Sequence, residues 1–416
     1  MAMKLAVVNI GQLVTLAGPD RPRLGAEMRE LGLLHDAVLI VENGRVVAFG
    51  SYADLREKID EETEVIDAAG RLVTPGFVDA HTHLVFAGNR ANEFEKRIGG
   101  ATYQEIAAAG GGIQSTVALT RAASEEELLA QTRRHRDWML RGGTTTLEAK
   151  SGYGLNRETE LRMLRVLARL EEEGPMRIVP TLLAAHTVPK EFADHRTEYV
   201  SWIVEELIPE VASLGLARYC DAFCDDHAFT LAETRRVLEA ATRHGLGLRL
   251  HAEQFRPNTG AALGAGLGAT TVDHLETVTV ETLQFLKEAG TQPVLLPASV
   301  FCLGREQYPP ARTMIEMGLP VVIATDFNPG SSPAPSMLFT LALASIEMKM
   351  LPAEALTAAT INAAWSLGLG REVGSLEAGK SADFVIHECS DYRELAYYVG
   401  APARPRVFIA GGEVTL

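Results

Sequence analysis

Two histidines separated by one residue, His81 and His83, follow a short apolar run at residues 76–80. Side chains two positions apart point to the same face of an extended strand, so both imidazoles can reach one metal ion beyond its carboxyl end. Imidazole nitrogen is a common ligand of Zn²⁺ and Fe²⁺. The spacing indicates a metal site at a strand end, although a His-x-His pair alone also occurs in solvated loops.

Four more polar side chains stand at the ends of other apolar runs along the chain. They are His186, His251, His274 and Asp326. If each run is a strand of one parallel barrel, these ends all meet at a single mouth, because the strands point the same way. Such convergence is hard to attribute to packing, and it predicts an active site at that mouth.

Four of these residues form the predicted metal-binding set. His81, His83, His251 and Asp326 offer three imidazole nitrogens and one carboxylate oxygen. That combination suits a single Zn²⁺ or Fe²⁺ ion with one position left for water. An ion of this kind lowers the pKa of its water from about 15.7 to about 7, which makes hydroxide available at neutral pH. The expected chemistry is therefore hydrolysis.

Proton transfer is predicted to involve His274, one of the two strand-end histidines outside the metal-binding set. His274 is the expected catalytic base, which takes a proton from the water and orients it. Asp326 is the second candidate for this role while it is bound to the metal, and the sequence does not separate the two. The proton would then pass to a leaving nitrogen, with His274 as the first choice of donor.

The elements that carry these residues alternate regularly. Short β-type runs occur near 76–81, 144–149, 177–183, 218–224, 246–251, 270–274, 292–297 and 320–325, with helical patterns between them. Capping boxes at Ser124–Glu127 and Thr230–Glu233 each open a helix. Eight strands alternating with helices over about 300 residues predict an α/β fold of the (β/α)8, TIM-like barrel type. An open doubly wound sheet is the alternative, but no Gly-x-Gly-x-x-Gly follows an early strand.

Both ends of the chain differ in character from this middle part. Apolar runs flank Asn43-Gly44, a dipeptide typical of a hairpin turn, and further β-type runs occur at 383–386, 406–410 and 413–416. We expect residues 1–70 and 371–416 to pair into one small β-sandwich domain. Residues 71–370 are then the metal-dependent hydrolase barrel domain.

Composition and charge narrow the class of function. An apolar share of 47% and a charged share of 22% are typical of a soluble globular enzyme. The net charge of −15 and the lack of a Lys/Arg-rich run argue against a nucleic-acid partner, while a locally positive pocket can still bind a small anion. Without a signal peptide or an apolar run of about 20 residues, we expect no membrane association and a cytoplasmic location.

Four segments resemble the imidazolonepropionase family of metal-dependent amidohydrolases. They are residues 82–90 (THLVFAGNR), 100–113 (GATYQEIAAAGGGI), 150–155 (KSGYGL) and 326–330 (DFNPG). Members of this family act in histidine metabolism, where they open the lactam ring of 4-imidazolone-5-propanoate with water to give N-formimidoyl-L-glutamate. The resemblance therefore implies a small anionic heterocyclic substrate.

The resemblance also implies roles for individual residues. Arg90 would bind the propionate carboxylate together with the hydroxyls of Tyr103 and Tyr153, because a guanidinium forms a two-point bond with a carboxylate. His186 would lie against the ring and its carbonyl, as a donor to the developing oxyanion. The remaining implied substrate contacts are Gln254, Asn328, Gly330 and Ser331.

The resemblance further implies a homodimer. It also implies one metal ion per subunit, since the run at 218–224 lacks the lysine that bridges two ions in related enzymes. A deaminase is the alternative enzyme. Related deaminases carry His-x-x-Glu after the fifth strand, whereas this chain has His251-x-x-Gln254, and an amide cannot shuttle a proton. A catalytically inactive scaffold is the alternative from another class, but every expected ligand position is filled.

Overall fold

The fold contains two eight-stranded β-sheets, described by a computed structural model for residues 4–101, 105, 111–225, 228–401 and 404–415. The N-terminal segment contributes to the first sheet the strands β1 (Lys4–Val14), β2 (Leu33–Glu42), β3 (Arg45–Ser51), β4 (Glu64–Asp67) and β5 (Leu72–Pro75). β2 and β3 form the predicted hairpin, in which Asn43 and Gly44 have φ angles of 49° and 75°. Two positive φ angles are what a tight two-residue hairpin turn requires.

The second sheet is built from the next eight strands in the chain. They are β6 (Phe77–Asp79), β7 (Thr144–Lys150), β8 (Arg177–Ala185), β9 (Tyr219–Cys224), β10 (Gly247–Ala252), β11 (Thr271–His274), β12 (Gln292–Leu295) and β13 (Val322–Ile323). Each strand pairs in parallel with the next. A parallel bridge between Thr82 and Phe327, just beyond β6 and β13, joins the first strand to the last. The predicted barrel is confirmed as a nearly closed one.

Helices connect and cover these strands. They are α1 (Tyr52–Leu55), α2 (Ala91–Ile98), α3 (Ile113–Ala122), α4 (Glu125–Arg141), α5 (Arg157–Glu172), α6 (Arg196–Trp202), α7 (Ile208–Ser213), α8 (Leu231–Arg243), α9 (Gly260–Gly266), α10 (Val280–Ala289), α11 (Pro297–Cys302), α12 (Ala311–Glu316), α13 (Met337–Ile346), α14 (Pro352–Ala358), α15 (Ile361–Ser366) and α16 (Glu394–Tyr397). Both predicted capping boxes are present, with Ser124 opening α4 and Thr230 opening α8. None of the helices within the described ranges is long and apolar enough to cross a membrane.

The C-terminal segment returns to the first sheet. Its strands are β14 (Phe384–Ile386), β15 (Arg406–Ile409) and β16 (Gly412–Glu413). β14 pairs antiparallel with β5, and β1 pairs in parallel with both β4 and β5, so the sheet is mixed. The two chain ends therefore pair with each other, as expected, in one mixed sheet. The domain boundaries near residues 70 and 371 stay a prediction.

Alternation along the barrel strands separates an apolar outer face from a polar interior. All seven residues of β7 are buried. Leu147 and Ala149 belong to the main apolar core, whereas Glu148 and Lys150 make ion-pair contacts with each other inside the barrel. Because successive side chains of a strand point to opposite faces, the barrel interior can hold polar groups behind a mouth that carries the site.

Candidate active site

The four residues of the predicted metal-binding set lie at the carboxyl ends of barrel strands. His81 and His83 follow β6, His251 lies in β10, and Asp326 follows β13. His274 is the last residue of β11, next to β10 in the barrel. All five residues are at most 3% exposed. The barrel therefore collects at one mouth side chains that are far apart in the sequence.

The candidate ligand atoms of the metal-binding set surround one point. Nε2 of His83 lies 3.4 Å from Nε2 of His251. Oδ1 of Asp326 lies 3.5 Å from Nε2 of His81 and 3.5 Å from Nε2 of His83. Ligands held about 2.0–2.1 Å from a tetrahedral ion are roughly 3.4 Å from one another, so this spacing fits one divalent cation. Nε2 of His81 is buried and has no hydrogen-bond partner among the described residues, as expected of a metal ligand.

Two carboxylates lie against the Nδ1 atoms of His81 and His251. Oδ2 of Asp273 lies 2.6 Å from Nδ1 of His81, and Oδ2 of Asp221 lies 3.0 Å from Nδ1 of His251. The contact to Asp273 is a hydrogen bond, and because an ionised carboxylate only accepts, Nδ1 of His81 carries the hydrogen and its Nε2 keeps the lone pair for a metal. The contact between Asp221 and His251 is equally close but lacks hydrogen-bond geometry. Burial lowers the pKa of both imidazoles, which favours the neutral form that a metal ligand needs.

His274 lies beside the metal-binding set in the orientation of a base. One of its ring nitrogens is within 4.8 Å of ring nitrogens of His81 and His251. Its Nδ1 lies 3.2 Å from Oε1 of the buried Glu276, which accepts the Nδ1 hydrogen and leaves Nε2 able to take a proton. Burial lowers the pKa of His274, but the carboxylates of Glu276, Asp326 and Asp273 together outweigh burial and raise the pKa above its usual value.

Strained backbone conformations cluster at the same strand ends. Positive φ angles occur at Asp326 (52°), His274 (82°), Leu275 (67°) and Glu253 (57°), none of which is glycine. Left-handed conformations of such residues cost free energy and persist where the surrounding structure holds them, often at active sites. The turn at Glu253 ends β10 and leads into Gln254, which is 6% exposed.

Arg90, the residue expected to bind a carboxylate, is held by groups on two sides. Its Nε donates to Oγ1 of Thr116 at 2.8 Å. A Cβ atom added to Gly330 would stand 2.3 Å from Nη1 of Arg90, so the guanidinium occupies the space that a side chain there would fill. Asn328 shapes this loop, because its Oδ1 accepts the backbone N–H groups of Gly330 and Ser331.

The loop that adjoins Arg90 is linked directly to the metal-binding set. Oγ of Ser331 donates to Oδ2 of Asp326 at 3.4 Å. Nδ2 of Asn328 donates to the backbone carbonyl of Asp326 at 2.6 Å. The expected anion-binding group and the expected metal ligands are therefore parts of one site.

Tyr153 and His186 line another side of the mouth. The ring of His186 stacks on that of His83 with centroids 5.0 Å apart, and the ring of Tyr153 lies 5.3 Å from His186. Nδ1 of His186 lies 3.0 Å from the carbonyl oxygen of Gly152, so Nδ1 carries a hydrogen and donates it. Burial lowers the pKa of His186 to about 3 and raises the pKa of Tyr153.

Most of the residues singled out in the sequence meet at this mouth. Those that the structure describes are His81, His83, Arg90, Tyr153, His186, His251, Gln254, His274, Asp326, Asn328, Gly330 and Ser331. Tyr103 lies outside the described residues. Three carboxylates contact the histidines, namely Asp221, Asp273 and Glu276. Sequence reasoning missed Asp221 and gave Asp273 and Glu276 no role beyond solvent or helix-cap residues. A charged residue inside a largely apolar strand, as at Asp221 and Asp273, is the sequence signal that could have indicated them.

Solved structures with the same architecture include guanine deaminase of E. coli, with a TM-score of 0.69, 18% identity, and coverage of 100% of this chain and 99% of that one. The 5-methylcytosine deaminase of Klebsiella pneumoniae matches with a TM-score of 0.75, 16% identity, and coverage of 99% and 97%. At these identities the likeness shows the fold alone.

Sequence comparison is more specific. The profile of the Amidohydrolase family matches residues 72–414. The imidazolonepropionase of Solibacter usitatus is 55% identical over 406 residues, which cover 98% of this chain and 97% of the relative. That of Symbiobacterium thermophilum is 47% identical, covering 95% and 93%. Together with the metal-binding set and Arg90 at one barrel mouth, these similarities show that the chain belongs to the amidohydrolase family, as one of its imidazolonepropionases.

Proposed function

We propose that this chain hydrolyses the ring amide of 4-imidazolone-5-propanoate to N-formimidoyl-L-glutamate in histidine catabolism. The observation that carries the proposal is the link, through the loop of Asn328 and Ser331, between Arg90 and the metal-binding set. The substrate has one carboxylate tail and one cyclic amide, so it needs an anion-binding group close to a hydrolytic centre. Similarity to imidazolonepropionases over nearly the whole chain supports the same substrate.

Substrate orientation begins at the carboxylate. The guanidinium of Arg90 can bind both carboxylate oxygens, because its N–H groups form a planar fork. Thr116 holds Nε of Arg90, which leaves the terminal nitrogens for the substrate. The hydroxyl of Tyr153 is a second donor to the same carboxylate, and the equivalent role of Tyr103 stays a prediction.

The ring of the substrate is assigned to the side of the mouth that His186 lines. Because Nδ1 of neutral His186 donates to Gly152, its Nε2 is an acceptor and is suited to a ring N–H. This role differs from the oxyanion donor expected from the sequence. Gln254, Asn328, Gly330 and Ser331 are proposed to supply the other contacts to the ring.

Proton transfer is assigned to His274. The four residues of the metal-binding set would hold one Zn²⁺ or Fe²⁺ ion, which when bound lowers the pKa of water and polarises the amide carbonyl. Nε2 of His274 takes the proton of the attacking water, and the same atom can deliver it to the ring nitrogen as the C–N bond breaks. Glu276 keeps the imidazole in this orientation through Nδ1.

The reaction can be tested directly with freshly prepared 4-imidazolone-5-propanoate and the protein loaded with Zn²⁺ or Fe²⁺. We expect the substrate absorbance to fall and N-formimidoyl-L-glutamate to form in equal amount, without ammonia. Release of ammonia would support a deaminase instead. A folded, cation-loaded protein that does not turn over this compound would exclude the proposed substrate.

The position of Arg90 provides a second test with a matched control. Gly330→Ala would place a methyl group at the guanidinium, whereas Gly266→Ala meets nothing within 4 Å, and neither glycine has a positive φ angle. We expect Gly330→Ala, like Arg90→Ala, to raise KM by about tenfold or more with a smaller change in kcat, since the lost contact is a charge-assisted one. Gly266→Ala should leave both constants unchanged. Equal KM values for Gly330→Ala and Gly266→Ala would contradict the carboxylate-binding role.

The choice between Zn²⁺ and Fe²⁺, the homodimer and the cytoplasmic location stay predictions. The donor set accepts either ion, because imidazole and carboxylate ligands suit both.

A further inference from the structure

A layer of charged side chains that is closed to solvent lies beneath the metal-binding set. It consists of Glu148, Lys150, Asp221, Arg249 and Asp273, each of them 0% exposed. These residues come from β7, β9, β10 and β11. Burial of charged groups costs free energy unless they are paired, so a layer of five within a barrel calls for a physical reason.

Lys150 joins the carboxylates of this buried charge layer. Its Nζ donates to Oε1 of Glu148 at 2.8 Å and lies 2.9 Å from Oδ2 of Asp221. Oδ2 of Asp273 is 4.0 Å from the same Nζ. Burial opposes the charged ammonium, but Asp221, Glu148 and Asp273 together outweigh burial and raise the pKa of Lys150. One ammonium therefore makes ion-pair contacts with three carboxylates.

Two of these carboxylates contact imidazoles of the metal-binding set. The Oδ2 atom of Asp221 that contacts Lys150 is also 3.0 Å from Nδ1 of His251. The Oδ2 atom of Asp273 that faces Lys150 is 2.6 Å from Nδ1 of His81. One carboxylate therefore stands between the ammonium and each of the two rings.

The third carboxylate holds the backbone between the two histidines of the first strand. Oε2 of Glu148 accepts the N–H of Thr82 at 3.2 Å, and the carbonyl of Glu148 accepts from Oγ1 of Thr82 at 2.7 Å. The N–H of Lys150 in turn donates to the carbonyl of Thr82 at 2.9 Å. The segment that carries both histidines is thus attached to β7 at the same two residues.

A second cation contributes to the layer from the other side. Nη2 of Arg249 donates to the carbonyl of Ala80 at 2.7 Å and lies 3.7 Å from Oδ2 of Asp273. Its Nε lies 3.9 Å from Oε1 of Glu148, and of the two carboxylates that contact imidazoles Arg249 lies within 4 Å of Asp273. Lys150 is the residue that connects all three.

We propose that Lys150 is a positioning residue for the metal-binding set, and that its ammonium increases the affinity of that set for a divalent cation by fixing Glu148, Asp221 and Asp273. The inference rests on the metal site of the proposed function. Lys150 acts through these carboxylates, because it lies in the closed layer beneath the histidines. Groups that orient metal ligands in this way typically change metal affinity about 10–100-fold when they are removed.

The test compares a variant that removes one cation and one anion of the layer with a variant that removes the same anion alone. Lys150→Met alone would leave three buried carboxylates without the ammonium, which can prevent folding. The double variant Lys150→Met/Glu148→Gln removes one cation and one anion together, and Glu148→Gln alone separates the contribution of Glu148. The matched control is Arg312→Met/Glu354→Gln, which removes a 2.8 Å ion pair between α12 and α14.

Three measurements are made on each purified protein. The first is the Zn²⁺ dissociation constant, from competition with a chromogenic chelator. The second is the visible absorption spectrum of the Co²⁺-loaded protein, which reports the geometry of the ligands. The third is the urea midpoint of the cation-free protein, which reports folding.

We expect the double variant to bind Zn²⁺ about 10–100-fold more weakly than Glu148→Gln, with an altered Co²⁺ spectrum and a similar urea midpoint. The Arg312→Met/Glu354→Gln control should bind as the unmodified protein does. Equal Zn²⁺ affinities for the double variant and Glu148→Gln would overturn the inference. An unmodified protein that binds no cation would overturn it together with the metal site, whereas tight Zn²⁺ binding without hydrolysis would contradict the proposed substrate alone.

Discussion

Nδ1 of His186 donates to the carbonyl oxygen of Gly152 over 3.0 Å, and this contact determines the tautomer of the imidazole. Gly152 belongs to the loop after β7, whereas His186 follows β8. A carbonyl oxygen cannot donate, so the neutral ring presents Nε2 as an acceptor. Burial lowers the pKa of His186 to about 3, which keeps the ring neutral at physiological pH.

Replacement of His186 tests this tautomer. His186→Phe keeps a flat ring to stack on His83 but removes the acceptor, so we expect kcat/KM to fall about tenfold, the value of one hydrogen bond of about 1.4 kcal/mol. The Zn²⁺ affinity of the variant should be unchanged, because His186 is proposed to contact the substrate and not the metal. Nitrogen-15 NMR of the unmodified protein should show a protonated Nδ1 and an unprotonated Nε2. A protonated Nε2 with an unprotonated Nδ1 would instead make His186 a donor to the substrate.

The pairing of Glu276 with His274 predicts a specific catalytic defect. Glu276→Gln keeps an acceptor for Nδ1 but removes the negative charge that makes Nε2 more basic, so kcat should fall roughly tenfold or more. KM and Zn²⁺ affinity should change little. A double-mutant cycle supplies the control, since Glu276→Gln should cost little further activity in a His274→Ala background. Additive losses would show that Glu276 acts independently of His274.

Two threonines on α3 provide a matched test of how Arg90 is oriented. Thr116 accepts from Nε of Arg90, whereas Thr120, one turn later, accepts from the N–H of Ala87. Thr116→Val should raise KM about three- to tenfold, because a hydrogen bond to a charged group is lost. Thr120→Val should lower the unfolding temperature and leave KM unchanged. Similar KM values for the two variants would mean that Thr116 does not orient Arg90.

A buried histidine in the terminal sheet predicts a pH-dependent stability. Nε2 of His387 lies 2.9 Å from Oγ1 of Thr74, and burial lowers the pKa of His387 from 6.5 to about 3. The unfolded chain therefore takes up a proton before the folded protein does. This contribution to stability is complete above pH 6.5 and is lost as the pH falls toward 3, by up to about 1.4 kcal/mol per pH unit.

Urea unfolding at pH 7 and pH 5 measures this effect. His387→Gln keeps a donor for Thr74 without a titratable ring, so its urea midpoint should shift less between the two pH values than that of the unmodified protein. His35→Gln, at an exposed position, is the control and should keep the full shift. An unchanged shift in His387→Gln would assign the acid sensitivity to other groups.

Local signals in the sequence were sufficient for most of the secondary structure. The capping boxes at Ser124 and Thr230 mark the helices that the structure shows, and Asn43-Gly44 marks the hairpin. These motifs work because they satisfy backbone groups within a few residues of themselves. The regular alternation of strands and helices was enough for the barrel, since few parallel topologies can bury such strands on both faces.

The residue types of the site were also readable in the sequence. His81 and His83 share a face because strand periodicity is a local property. The resemblance to imidazolonepropionases singled out Arg90, which by itself is one arginine among many. Asn328 and Ser331 were expected to contact substrate, but the structure also shows them linking the loop at Gly330 to Asp326.

What the tertiary structure alone decided is which charged groups hold the imidazoles. His81 and Asp273 are 192 positions apart, and Lys150 reaches Asp221 and Asp273 only because β7, β9 and β11 face one barrel interior. Such pairings depend on strand order and register, which the packing of the whole chain sets. The sequence thus determined the ligand types and the elements that carry them. The geometry that selects tautomers and pairs buried charges arises only when the barrel closes.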